Sequence, residues 1–117
     1  MMITIYGLTN CDTVKKARLW FDERQLEYKF HDIRSGGLTL ETLKQFSARL
    51  DDWQILLNRK GMTWRKLSPE QQKCCTKIET ALPLIAQNRT LMKRPVIDNG
   101  VVLLVGFDTR MYEKHLL

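Results

Sequence analysis

The stretch that most constrains this chain is residues 3–16, Ile-Thr-Ile-Tyr-Gly-Leu-Thr-Asn-Cys-Asp-Thr-Val-Lys-Lys. The β-branched run Ile3, Thr4, Ile5 predicts a strand over residues 1–6. Gly7-Leu8-Thr9-Asn10 reads as a loop. Asn10 is a good N-cap residue type, and Asp12 and Thr13 suit a first helical turn. Apolar residues then fall at Val14, Ala17, Trp20 and Phe21, the spacing of one helical face. Lys15, Lys16, Arg18 and Asp22 take the other face, and the helix is expected to end near residues 24–25. Residues 27–32 alternate Tyr28 and Phe30 against Lys29 and His31, which predicts a second strand. The chain therefore opens with a βαβ unit, and Cys11 sits where the first strand hands over to the helix.

Ser35-Gly36-Gly37 is a turn signal. Thr39 caps a helix whose apolar face is Leu40, Leu43, Phe46 and Leu50. Asp51-Asp52 opens a short helix carrying Trp53, Leu56 and Leu57, which Asn58-Arg59-Lys60-Gly61 ends. Residues 62–67 carry no decisive pattern. Ser68-Pro69-Glu70-Gln71 combines a Ser cap, a first-turn proline and a capping-box Gln. That helix is expected to reach about residue 87, kinked or divided at Pro83. Residues 94–97 open a strand, Asp98-Asn99-Gly100 signals a hairpin turn, and residues 101–105 return. Residues 107–115 read as a last amphipathic helix capped by Asp108.

This order is that of an α/β, thioredoxin-like fold: a βαβ unit plus a β-hairpin and a C-terminal helix around a mixed sheet. The 117 residues fit one domain, 1–117. The block at about residues 39–87 exceeds any ordinary connection and is expected to form a helical insertion lobe.

Hydrophobic residues make up 44% of the chain, enough for a real core. No run of 18 apolar residues exists, so no membrane span is expected. The N-terminus lacks a basic region followed by a long apolar one, so a cytoplasmic protein is the default expectation; the oligomeric state is open, with monomer as the default. The cysteine count is odd, at Cys11, Cys74 and Cys75. With no export signal this argues against a disulfide framework, and no Cys/His cluster suggests a metal site. The formal net charge is +6, but no basic run exceeds two residues. A solvated surface or a small anionic ligand accounts for it better than nucleic acid does.

Cys11 is the strongest candidate for chemistry. A thiol at a helix N-terminus meets unpaired backbone N–H groups and the positive end of the helix dipole, which favour thiolate. Lys15, one turn on, adds positive potential, and Asp12 works against it. In Cys11-Asp12-Thr13-Val14, valine stands where a Cys-x-x-Cys motif has its resolving thiol. A redox cycle at Cys11 then needs an outside thiol or a distant cysteine. Cys74 and Cys75, neighbours on a predicted helix, point about 100° apart and cannot easily pair; one is expected partly buried and one exposed. Arg94-Pro95 is a fixed extended dipeptide that can present its arginine to an anion, and X-Pro bonds are the ones that adopt cis. Arg59 offers a planar guanidinium suited to oxyanions. His31 and His115 are expected to be structural, and Trp20, Trp53 and Trp64 to pack.

Three segments together resemble the family of ArsC-type arsenate reductases and Spx regulators. They are Thr4-Ile-Tyr-Gly-x-x-x-Cys11-Asp-Thr-x-Lys-Lys-Ala17, Leu56-Leu-Asn-x-x-Gly-x-Thr-Trp-Arg-Lys-Leu67 and Lys93-Arg94-Pro95. The chain is most similar to the small YffB-like members. The resemblance implies a thioredoxin-like fold with a helical insertion and a cis bond before Pro95. It implies that Cys11 is the nucleophile, that Arg59 and Arg94 hold an oxyanion by charge-assisted hydrogen bonds, and that glutathione and glutaredoxin resolve the adduct. No bound cofactor is implied; glutathione is a co-substrate. Two departures stand out. The reductases have a third arginine before the last helix, where this chain reads Leu104-Val105-Gly106-Phe107. They also have a histidine in the loop before the cysteine, here Gly7-Leu8-Thr9-Asn10. What remains suits a glutathione-dependent thiol reductase acting on a disulfide or small oxyanion. The Spx side of the family implies an alternative, a non-catalytic adaptor that binds RNA polymerase or another protein.

Overall fold

The computed structural model describes residues 2–117. The chain divides into two compact units, one built from the chain up to Gly37 together with Arg94–Leu117, the other from Leu38–Lys93.

The first unit has a four-stranded sheet. Strand β1 (Thr4–Gly7) leads into helix α1 (Asp12–Glu23) and strand β2 (Lys29–Asp32); β3 (Val96–Asp98), β4 (Leu103–Val105) and helix α6 (Thr109–Leu116) follow later in the chain. The predicted first strand begins on Met1, outside the described residues. β1 pairs parallel with β2, as the α1 crossover requires, and antiparallel with β3, giving the mixed order β2-β1-β3-β4. Val14, Ala17, Trp20 and Phe21 are the buried face of α1, the four positions that the spacing picks out. A cluster of Ile5, Ala17, Trp20, Phe21, Ile97, Leu104 and Tyr112 joins both central strands to α1 and α6. Trp20, Phe21 and Phe107 all meet the Tyr112 ring edge-on, and the Tyr112 hydroxyl donates to the Gly106 carbonyl at 2.7 Å. This satisfies the polar end of a fully buried aromatic.

The hairpin is shorter than the sequence pattern predicts. Val101 is 70% exposed, and the returning strand starts only at Leu103. The reason is Asn99, whose side-chain oxygen takes the Val101 and Val102 N–H groups. Those amides serve the turn, not the ladder. Gly100 adopts φ +90°, open to glycine without steric cost.

The second unit is helical: α2 (Leu40–Ala48), a 3₁₀ turn at Trp53–Leu56, α3 (Met62–Lys66), α4 (Pro69–Cys74), α5 (Ile78–Gln87) and a 3₁₀ turn at Arg89–Leu91. The expected single helix from residue 68 to 87 is in fact two. It does not divide at Pro83, which lies inside α5; the break comes at residues 75–77. There the Thr76 hydroxyl takes the Lys73 carbonyl and the Thr80 hydroxyl takes the Cys74 carbonyl. These bonds satisfy the last carbonyls of α4 without a continuing helix. The Ser68–Gln71 capping box is present in both directions. Leu57 bridges Met92, and Asn58 N–H and Lys93 N–H bond across to the Leu91 and Leu56 carbonyls. This small antiparallel clasp was not predicted.

No helix among the described residues is long and apolar enough to cross a membrane.

Candidate functional site

The sheet register builds the site. In the β1–β3 pair, Tyr6 faces Val96, so the end of β1 lies beside the start of β3. The chain leaves β1 through Leu8, Thr9 and Asn10 to reach Cys11, and it enters β3 through Arg94-Pro95. These two segments are therefore neighbours. The Arg94–Pro95 peptide bond is cis.

Cys11, and not the expected Asn10, is the N-cap of α1. Its φ is −95° and ψ 127°, and its carbonyl accepts the first helical bond from Lys15 N–H at 2.9 Å. No side-chain oxygen caps α1, because the residue at this position carries sulfur. The backbone instead places Sγ over the opening turn of the helix.

Cys11 Sγ is partly exposed and lies 3.2 Å from Thr13 Oγ1. Thr13 Oγ1 in turn donates to the Arg94 carbonyl at 3.1 Å. Partial burial pushes the Cys11 thiol up. The Thr13 hydroxyl, the Val14 backbone N–H and the Arg94 guanidinium, by hydrogen bond and by charge, outweigh it and hold the thiol below its ordinary value. A thiol so held ionises more readily, and the thiolate is the nucleophilic form of cysteine.

Of the residues singled out in the sequence, the structure brings Cys11, Thr13, Arg94 and Pro95 together. Asn10, Asp12 and Lys15 are exposed. The backbone N–H of Val14 does act on it, a contribution that no side-chain pattern reveals. Val14 itself is fully buried, so the place of a resolving cysteine is a core position here. Arg59 belongs to the other unit. It is exposed, its Nη2 donates to Gln54 Oε1 at 3.1 Å, and its guanidinium lies 5.4 Å from the Trp64 ring centroid.

The remaining cysteines differ as expected: Cys74 is exposed and Cys75 fully buried. Burial raises the Cys75 thiol, against the opposing charge of Arg59, and its Sγ bonds back to the Gln71 carbonyl. His31 is structural in setting: Nε2 lies 2.9 Å from the Gly37 carbonyl and the ring packs on Tyr6. Among the described residues no group of His, Cys, Asp and Glu could hold a metal ion.

A mixed sheet with a thiol at the start of α1, beside the residue before a cis-proline, defines a thioredoxin-like protein with a single cysteine at the start of its first helix. The chain belongs to the ArsC family, whose model matches residues 6–115. An uncharacterised protein of Haemophilus influenzae is 44% identical over 112 residues, covering 96% of each chain. A solved structure of a YffB protein superposes with a TM-score of 0.89 at 38% identity, covering 98% of this chain and 99% of its own. The global transcriptional regulator Spx of Listeria innocua is 28% identical over 92% of this chain and 81% of its own length. Membership of this family supports, at the family level, an arsenate-reductase-like thiol oxidoreductase.

Proposed function

We propose that this protein is a monothiol reductase in which the Cys11 thiolate attacks a disulfide sulfur or a small oxyanion and glutathione releases the product. What supports the reading is the placement of Cys11 at the N-cap of α1, with Sγ 3.2 Å from the Thr13 Oγ1 that bonds the Arg94 carbonyl; Thr13, the Val14 N–H and Arg94 hold its thiol below the ordinary value. Attack on a disulfide forms a bond from Sγ to one sulfur, and the other sulfur leaves with the electron pair and takes a proton. The mixed disulfide on Cys11 is then attacked by a glutathione thiolate. Valine at position 14 supports an outside thiol for that step, because it stands where a Cys-x-x-Cys motif has its resolving cysteine. Reduction of an oxyanion draws its two electrons from two glutathione thiols in the same manner. Glutaredoxin would return Cys11 to the thiolate form where glutathione alone is slow. The Arg94 guanidinium, beside the thiolate, is suited to an anionic group on the substrate. For Arg59 an anion-binding role rests on the family resemblance alone.

The deciding experiment is a coupled NADPH–glutathione–glutaredoxin assay with arsenate and with glutathione mixed disulfides, comparing wild type with Cys11→Ser. Turnover that disappears in Cys11→Ser supports the reading. Equal rates in the two proteins, or none in either, count against it.

A second reading is an adaptor that binds RNA polymerase, favoured by the likeness to Spx along most of the chain. A pull-down that retains the polymerase at moderate salt, from a protein with no reductase turnover, would favour it.

A further inference from the structure

The Thr13 hydroxyl has one proton and two acceptors within reach. Oγ1 lies 3.1 Å from the Arg94 carbonyl oxygen and 3.2 Å from Cys11 Sγ. A carbonyl can only accept, so Thr13 donates to Arg94, and the Cys11 S–H is left to donate to Oγ1. The neutral state is thus a relay, from Cys11 S–H to the Thr13 O–H to the Arg94 carbonyl.

A thiolate cannot donate. Once Cys11 ionises, the bond between Sγ and Oγ1 survives only if Thr13 supplies the proton. A bond to an ionised acceptor is about twice as strong as one to a neutral carbonyl, so the hydroxyl turns toward sulfur. We propose that Thr13 is a positioning residue that switches: its hydroxyl clamps the Arg94 carbonyl while Cys11 is a thiol and leaves that carbonyl for Sγ when Cys11 is a thiolate. The backbone just before the cis-proline then carries a record of the protonation state of the nucleophile. Coupling of this kind runs both ways, so a donor that engages the Arg94 carbonyl from outside helps Thr13 turn to sulfur and favours the thiolate.

The surrounding charges leave this assignment to Thr13. Asp12 and Lys15 on α1 are exposed, the loop Leu8–Asn10 has no titratable side chain, and Arg94 supplies the charge that acts on Sγ from the β3 side.

The inference rests on Cys11 ionising as the proposed function requires, but its test does not need a substrate. The Arg94 carbonyl carbon is followed by carbon-detected correlation to the Pro95 nitrogen as pH is varied, and Cys11 alkylation rates are measured on the same samples. In wild type the Arg94 resonance should move with the alkylation midpoint. Cys11→Ala should hold it at the low-pH position throughout. Thr13→Val should place it at the wild-type high-pH position at every pH and slow alkylation near neutral pH about tenfold, the loss of one charge-assisted hydrogen bond. Thr13→Ser, which keeps the hydroxyl, should restore the titration. Thr13 is exposed, so these variants keep the core intact. An Arg94 resonance that stays still while wild-type Cys11 ionises, or that moves equally in Thr13→Val, would overturn the switch. Reductase turnover with a motionless carbonyl ends this inference alone. A titrating carbonyl without turnover ends the reductase reading alone.

Discussion

Val14 packs directly against Gly7: a Cβ placed on Gly7 would lie 2.7 Å from Val14 Cγ2 and 3.1 Å from Cγ1. The end of β1 and the first turn of α1 therefore touch with no room for a methyl group, and the loop bearing Cys11 is pinned between them. Valine is stiff at χ1 and cannot swing away cheaply.

Gly7→Ala should accordingly destabilise the protein by about 1–3 kcal/mol, the usual cost of overpacking. Adding Val14→Ala should recover part of that loss, because the second change removes the atoms that the first one strikes. Urea midpoints of the four proteins of this cycle measure the coupling. Strict additivity would show that the two residues do not clash.

Removing the Arg94 guanidinium should weaken the nucleophile. Arg94→Gln deletes both a hydrogen bond and a positive charge that hold the Cys11 thiol down. Alkylation of Cys11 at neutral pH should slow about tenfold, in line with the loss of one hydrogen bond to a charged group. Lys15→Gln should change the rate less, since Lys15 is exposed and solvent screens its charge. A larger effect from Lys15 than from Arg94 would contradict this order.

The same thiol makes stability depend on pH. Cys11 loses its proton at lower pH in the folded protein than in the unfolded chain. Between those two values the unfolded chain binds more protons, so stability rises with pH. The contribution is complete above the unfolded-state value of about 8.5 and is lost as pH falls through the folded-state value. Buried Cys75 acts in the opposite sense, because its thiol is raised. Subtracting Cys11→Ser from wild type isolates the Cys11 part. The difference should grow in favour of wild type with rising pH and level off above about 8.5. A difference that is flat or reversed would show that the thiol is not held down.

Asn99 ties the hairpin turn to the end of α6. Its Oδ1 accepts from Val101 and Val102 N–H at 2.9 and 2.8 Å, and its Nδ2 donates to the His115 carbonyl at 3.2 Å. Only 8% of the residue is exposed. Asn99→Ala strands these partners and should cost about 1–3 kcal/mol. Amide exchange in the last turn of α6 should quicken with it. Unchanged exchange there would mean that the bond to His115 carries no weight.

The elements that follow strong periodicity or cap chemistry were legible in the sequence. Val14, Ala17, Trp20 and Phe21 form the inward face of α1, Asp108 caps α6 through Arg110 and Met111, and the Ser68 box starts α4. What failed were places where tertiary bonds decide. The break after Cys74 depends on hydroxyls of Thr76 and Thr80 reaching back to α4, while Pro83, the obvious breaker, sits within a helix. The site divides the same way. Cys11 stood out by its position, and Arg94-Pro95 by its dipeptide. Thr13 was legible only as a first-turn residue, because its bond to Arg94 spans 81 positions and exists only through the β1–β3 register. Assigning the cap to Asn10 missed by one residue, since the cap is the cysteine itself.

A monothiol nucleophile at Cys11 forms a mixed disulfide with glutathione that a second glutathione thiolate releases. The most direct measurement is intact-mass analysis with peptide mapping after brief exposure to glutathione disulfide near neutral pH. One glutathione per chain is expected, located on Cys11, removed by reduced glutathione and absent from Cys11→Ser. Modification confined to exposed Cys74, or an unmodified Cys11, would contradict it.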